Sequence, residues 1–225
     1  MNLTNNGAHY GATQYLWPRD YELSGKQLVL TGDKSLTLTF RDKEFVEEQR
    51  GNESIVSQYE ALKVTDYIHL VIFGERLNAA VLDLEHSTAA VSTGEDGIYD
   101  FYSINSQASS GALPQYTDDM AGTHAKWFFG CDRYLENTYL SDGKCECIWS
   151  PRTDRKRVVP AQYIRITDAV YLVELNSTSP FRTDFPQGYS KIIMLQDYER
   201  QLMVGCLYSP SINDFLMVSG YALRP

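Results

Sequence analysis

This sequence has little that would place it in a membrane or on a nucleic acid. Uncharged apolar runs are short, residues 67–73 being an example, whereas a spanning helix needs about 20 such residues. The first thirty residues lack the basic-then-apolar layout of a secretory signal, so a soluble cytoplasmic protein is expected. Basic side chains are in deficit. Lys and Arg number 20 against 29 Asp and Glu in 225 residues, for a net charge of −9. An acidic balance spread along the chain predicts neither a nucleic-acid nor a membrane partner. The motifs G-x-x-x-x-G-K-S/T, G-x-G-x-x-G, G-x-S-x-G and H-E-x-x-H are all missing. Phosphate-loop, dinucleotide, serine-hydrolase and zinc-protease chemistries therefore lack support.

Cysteine is also sparse, with Cys131, Cys145, Cys147 and Cys206 all in the second half. A secreted disulfide framework would be denser. Cys145 and Cys147 point to one face of a strand, but the C-x-x-C spacing of a zinc site is absent. Buried thiols are expected, with no metal and no cofactor. Helical periodicity is lacking too, since no stretch beyond about ten residues repeats its apolar positions every 3.6.

What the sequence does have is aromatic and β-branched alternation. Sixteen Tyr, nine Phe and three Trp recur in short runs. Strands are predicted at 26–31, 35–41, 44–49, 55–64, 67–75, 78–84 and 88–93, divided by polar turns such as Gly32-Asp33-Lys34. Residues 1–24 read as an extension. Residues 96–121 are small, polar and rich in breakers, and read as a connector. Residues 122–225 resume the strand rhythm.

The two halves match. Gly25 and Gly122 each open a strand, and residues 59–71 align with 161–173. Thr65-Asp66 then falls on Thr167-Asp168, and His69 on Tyr171. A duplicated all-β unit of roughly 70–95 residues follows. Closure removes exposed strand edges, so each unit, 25–95 and 122–225, is predicted to form a small antiparallel barrel. One ten-stranded barrel drawing on both halves is the structural alternative.

Alternation suggests the inward residues. If Lys63 and Arg165 face water, then Glu60, Leu62 and Val64 face in, as do Gln162, Ile164 and Ile166. His69, Val71, Phe73 and Glu75 share one face of the next strand, although both of its faces are apolar. An interior holding Glu60, His69 and Glu75 would supply a general acid and base with shifted pKa values. The structural reading of the same residues is a satisfied histidine and solvated strand-end carboxylates. In the second half Trp127, Phe129, Tyr139 and Trp149 either fill the interior or form a stacking wall for a flat ligand. Glu136, Tyr139 and Tyr171 are its acid–base candidates. Arg182 is a candidate anchor for a ligand carboxylate, or else a solvated loop cation.

Gly122 to Phe129 and Glu136 to Gly143, with residues 157–173 and 192–210, resemble the phenolic acid decarboxylases. Those are lipocalin-like (calycin) barrels that decarboxylate hydroxycinnamic acids without a cofactor, using two tyrosines, an arginine and a glutamate. The tyrosine places fall on Trp127 and Phe129, the arginine place near Cys147 and the glutamate place on Ser177, so that apparatus is absent from the second half. In the first half the glutamate place falls on Glu75. The two-unit layout is similar to the molybdenum-cofactor-biosynthesis F (MoaF) family. This second resemblance rests on Gly25–Leu28, Leu36–Phe40, Tyr59–Ala61, Val81–Leu84, Tyr134–Leu140 and Tyr171–Val173, with Glu60 and Glu136 matching that pattern.

Two functions are expected from different classes. One is a cofactor-free enzyme of small-molecule metabolism performing decarboxylation, isomerisation, dehydration or cyclisation on an aromatic or polyene metabolite. The other is a lipocalin-like binding protein without catalysis. Self-association as a homodimer is also predicted, because the Tyr-rich segment 97–103 needs a surface to pack against, unless it packs within the chain.

Overall fold

The computed structural model describes residues 19–74, 77–92, 97–105, 111–130, 133–150, 156–181, 189–209 and 214–222. Among these the chain is entirely strand, turn and loop. It divides into two compact units at Gln115 and Tyr116. No helix of the described residues is long and apolar enough to cross a membrane.

The first unit is a closed antiparallel barrel of eight strands in sequential order: β1 (Gln27–Thr31), β2 (Ser35–Phe40), β3 (Phe45–Arg50), β4 (Glu53–Lys63), β5 (Ile68–Phe73), β6 (Asn78–Asp83), β7 (Thr88–Ser92) and β8 (Tyr99–Ile104). β8 falls in the stretch read from sequence as a connector. It closes the barrel, pairing Leu30 with Ile104 on β1. Its alternation is legible in hindsight, since Tyr102 and Ile104 are buried while Ser103 between them is half-exposed. The Tyr-rich segment that suggested a dimer thus packs within its own barrel.

The second unit holds β10 (His124–Gly130), β11 (Arg133–Leu140), β12 (Lys144–Trp149), β13 (Lys156–Arg165), β14 (Val170–Phe181), β15 (Tyr189–Asp197), β16 (Leu202–Ser209) and β17 (Asp214–Ala222). β10 pairs with β17 and β12 with β13, closing a second eight-stranded barrel. The two-residue β9 (Gln115–Tyr116) adds beside β13. Two barrels replace the single ten-stranded alternative.

The duplication extends to hydrogen-bond register. Phe40 pairs with Val46 as Tyr139 pairs with Cys145. His69 pairs with Leu82 as Tyr171 pairs with Gln196. Ala89 pairs with Tyr102 as Met203 pairs with Gly220. Each barrel is entered the same way. The Gly25 N–H donates to the Phe40 carbonyl at 2.7 Å, and the Gly122 N–H to that of Tyr139 at 2.8 Å. Both glycines have positive φ, 79° and 82°, a conformation that side chains with a Cβ resist. Just before them Leu23 and Met120 plug the two cores.

Turns repeat as well. The Thr65 hydroxyl accepts from the Tyr67 and Ile68 N–H groups, as Thr167 does from Ala169 and Val170. Asp83 caps the β6–β7 turn through Glu85 and His86, as Asp197 caps β15–β16 through Glu199 and Arg200. Short side chains that hydrogen-bond their own backbone fix such turns locally, before any packing.

Candidate functional site

Which row of each strand faces inward is read from the core clusters. In the first barrel Tyr59, Ala61, Val71, Phe73, Ala80 and Leu82 pack together, with the side chains of β1, β2 and β8. The odd-numbered row of β4 is therefore internal, and Glu60, Leu62 and Val64 lie on the outer row. In the second barrel Ala161 and Tyr163 are internal, so Gln162, Ile164 and Ile166 are external. Lys63 and Arg165 do carry their charges to solvent as expected, yet they do not mark the outer row. Both occupy inward positions at strand ends, where a long stem lets the cation reach the rim. There Lys63 Nζ pairs with Glu22 at 2.6 Å, and Arg165 with Asp119 at 3.0 Å.

That shift takes Glu60 out of the interior. Its carboxylate pairs with Arg19 at 2.5 Å, and burial raises its pKa, partly offset by the Arg19 charge. Glu136 is likewise external, on the opposite row from Leu135 and Tyr139. It meets His124 at 3.0 Å and Lys126 at 3.7 Å. Neither carboxylate faces a barrel interior. Glu75 and Arg182 lie outside the described residues.

His69 is internal and fully buried, on the row of Val71 and Phe73. Its Nδ1 is hydrogen-bonded to Asp20 Oδ2, whose side chain is itself almost wholly enclosed. Asp20 comes from the segment before β1, held by its N–H donating to the Ala61 carbonyl at 2.9 Å. Its second oxygen accepts from the Glu22 N–H at 2.9 Å. Burial works against ionisation of Asp20. The hydrogen bonds to His69 and Glu22, with the nearby His69 and Lys63 charges, outweigh that and hold its pKa below the ordinary 3.8. Histidine Nε2 is buried with no hydrogen-bond partner. An aspartate accepting from Nδ1–H leaves the Nε2 lone pair as a base, in the arrangement that orients a catalytic imidazole.

The first barrel carries a second polar group further along. Val46 is internal, so Glu48 and Arg50 share its row. Arg50 Nε meets Glu48 Oε1 at 2.6 Å, and the Asn78 amide donates to Glu48 Oε2 at 3.3 Å. Arg50 Nη2 is buried without a partner. Tyr102 donates to Asp100 at 3.4 Å on the internal row of β8, and burial followed by the Asp100 charge raises its pKa. Sequence reasoning missed Asp20, Glu48 and Arg50. Asp20 was hidden in a presumed extension. The Glu48–Arg50 row was legible as Val46, Glu48 and Arg50 in alternation.

The second interior is built differently. Trp127, Phe129 and Tyr139 are core residues, and Trp149 stacks on Phe129 with centroids 5.7 Å apart and planes at 16°. Tyr171 stands half-buried at the rim, edge-on to Tyr198. Tyr139 and Tyr198 both donate to Gln196 Oε1, at 2.8 and 2.9 Å. Burial pushes the Tyr139 phenol up to about 12. Cys145 and Cys147 face inward with Sγ atoms 3.6 Å apart, and this contact together with burial raises the Cys145 thiol. Among the described residues no group of three or more His, Cys, Asp and Glu side chains gathers as a metal site.

No family model and no curated protein matches the chain.

Proposed function

We propose that the protein is a cofactor-free enzyme of small-molecule metabolism, performing an acid–base reaction on an aromatic or polyene metabolite inside the first barrel. One observation carries the reading: a buried Asp20–His69 pair whose Nε2 has no partner. His69 Nε2 takes a proton from one atom of the substrate and delivers it to another, while Asp20 stabilises the imidazolium formed between the two transfers. In isomerisation and cyclisation the proton is returned to a different carbon; in dehydration it passes to the departing hydroxyl as water leaves; in decarboxylation of a phenolic acid the phenol proton is taken and then delivered to the carbon that has lost carbon dioxide. Glu48, Arg50 and Tyr102 give the same interior a charged pole that orients a polar substrate end. The apolar wall of Leu38, Phe40, Val71 and Phe73 excludes water and strengthens each internal charge. The resemblance to cofactor-free decarboxylase barrels supports the same class of chemistry. A cytoplasmic setting belongs to this reading, since the buried Cys145 and Cys147 are free thiols.

A binding protein without catalysis is the second reading, favoured by the aromatic interior of the second barrel. His69→Gln separates them. The purified chain, incubated with a panel of hydroxycinnamic acids and conjugated enones under mass-spectrometric detection, is expected to convert at least one. The variant is expected to lose about 10²- to 10⁴-fold in turnover with substrate affinity kept. Turnover within threefold of the parent would overturn the assignment of His69, and absence of any turnover would favour the binding protein.

A further inference from the structure

His69 has no exposed surface and Asp20 almost none, so a molecule reaches His69 Nε2 only if part of the protein moves. The element over that end of the first barrel is the segment 19–24, where β4 turns into β5. Arg19 pairs with Glu60 at 2.5 Å, and Tyr21 lies against Lys43 in the β2–β3 turn, with Nζ 5.1 Å from the ring centroid. Between them Asp20 turns inward to His69. Glu22 pairs at 2.6 Å with Lys63, the residue directly opposite His69 across β4 and β5. Leu23 then enters the apolar core and is fully buried. Among the described residues, one backbone hydrogen bond ties this segment to the sheet before Gly25, from the Asp20 N–H to the Ala61 carbonyl at 2.9 Å. The Ser24 N–H bonds locally to the Tyr21 carbonyl at 3.1 Å, which makes the segment a compact turn. Gly25 has a φ of 79°, and a Cβ there would meet nothing within 4 Å. Its N–H is fixed on Phe40, so free rotation ends at that residue. The second barrel repeats the turn, with Thr117 bonded to the Tyr163 carbonyl at 3.0 Å, Asp119 paired with Arg165 and Met120 in the core. The turn therefore belongs to the shared frame, and only the first copy adds to it a carboxylate on a buried imidazole.

We propose that residues 19–24 form a hinged strap, turning about Ser24 and Gly25, whose opening admits substrate to His69 and whose closure returns Asp20 to the imidazole. The proposal rests on the catalytic reading of His69. Asp20 and Leu23 ride on one short turn, so opening withdraws the carboxylate and the plug together. The open barrel then lacks the acceptor that fixes the imidazole tautomer, and the base is assembled only with the strap shut and water excluded. The two rim ion pairs are solvent-exposed and hold the strap weakly. The buried contacts of Asp20 and Leu23 set how seldom it opens.

Labelling of His69 by diethyl pyrocarbonate in the full chain, located by peptide mass spectrometry, tests the strap without a substrate when set beside amide hydrogen exchange of β5. Each measurement gives an opening fraction, referred to N-acetylhistidine for the label and to unstructured peptide for the amides. The His69 fraction is expected to exceed that of β5 by about a hundredfold, because local opening precedes global unfolding. Glu22→Gln loosens the rim and should raise the His69 fraction about two- to fivefold. Val91→Ala, in the barrel core on β7, weakens the open and shut forms alike. It should speed β5 exchange more than about tenfold and leave His69 labelling within about twofold. Should that variant fail to fold, low urea replaces it: β5 exchange should climb steeply while His69 labelling stays nearly flat, since strap opening exposes little surface. Equal fractions for His69 and β5 would overturn the strap, as would parallel responses to Val91→Ala or to urea, or labelling unmoved by Glu22→Gln. A wide gap in a chain that converts no substrate would leave the moving strap and remove the catalytic reading, whereas turnover with equal fractions would do the reverse.

Discussion

The two barrels share strand number, register, entry glycine and turn chemistry, yet their polar interiors are nearly complementary. Where the first has Asp20 and His69, the second has Thr117 and Tyr171, in matched backbone positions. Where the second has Asn137, Tyr139, Gln196 and Tyr198, the first has Leu38, Phe40, Leu82 and Leu84. Glu48 and Arg50 stand at the places of Cys147 and Trp149. The frame therefore does not require any of these polar groups, because its other copy closes without them. A buried carboxylate–imidazole pair in one copy and a network of neutral groups in the other are departures from a shared apolar solution. Departures that cost desolvation and leave orphaned atoms mark function more reliably than features common to both copies.

Breaking the Asp20–His69 pair should have the largest effect on stability. Asp20→Ala leaves a fully buried imidazole without its partner, and a loss of about 3 kcal/mol is expected. Thr117→Ala, at the equivalent place, removes only a side chain whose hydroxyl accepts from the exposed Asp119 N–H, for less than about 1 kcal/mol. Chemical denaturation of both variants checks the contrast, and equal losses would dissolve it. The same pair sets an acid limit. The folded pKa of Asp20 lies below its unfolded value, so its contribution is complete above the ordinary 3.8. It is lost as pH falls through the folded value. Asp20→Ala should flatten that part of the acid-stability curve.

A middle-sized effect comes from making the second barrel resemble the first. Tyr139→Phe restores the side chain found at Phe40 and deletes one hydroxyl. Gln196 keeps Tyr198 as a donor, while the Asn137 amide loses its acceptor. The expected cost is about 1–2 kcal/mol by denaturation, with the barrel intact by near-ultraviolet circular dichroism. A loss near zero would mean that the network contributes nothing beyond packing.

The duplicated architecture was readable because its signals are local and repeated: period-two alternation, Thr-Asp turns, and a glycine opening each unit. Strand β8 was obscured by the breakers on both sides of it. The site was less legible because alternation fixes two faces but not which one is inside. In β5 all six residues are buried, so apolarity could not choose. In β4 the choice was made from Lys63, and a rim lysine on the inward row inverted it. His69 survived that error because its strand was read independently. Its partner could not be found by strand logic at all, since Asp20 reaches the barrel from outside the sheet.

Glu60 provides the smallest and most diagnostic test of that inversion. Read as internal, it would be a buried acid whose replacement should abolish turnover. In the structure it sits on the outer row, pairs with the half-exposed Arg19, and has a pKa raised by burial. A raised folded pKa means that the ionised form is slightly disfavoured in the native state, so stability from this group declines as pH rises through it. Glu60→Gln removes that penalty and also the attraction of Arg19, two terms of opposite sign. The expected change in stability at neutral pH is within about 0.5 kcal/mol, and turnover on any substrate converted by the parent should stay within twofold. His69→Gln in the same barrel should lower that turnover by about 10²- to 10⁴-fold. If instead Glu60→Gln loses activity as His69→Gln does, then the outer row of β4 takes part in the chemistry, and the distinction drawn between the two faces of the first barrel is wrong.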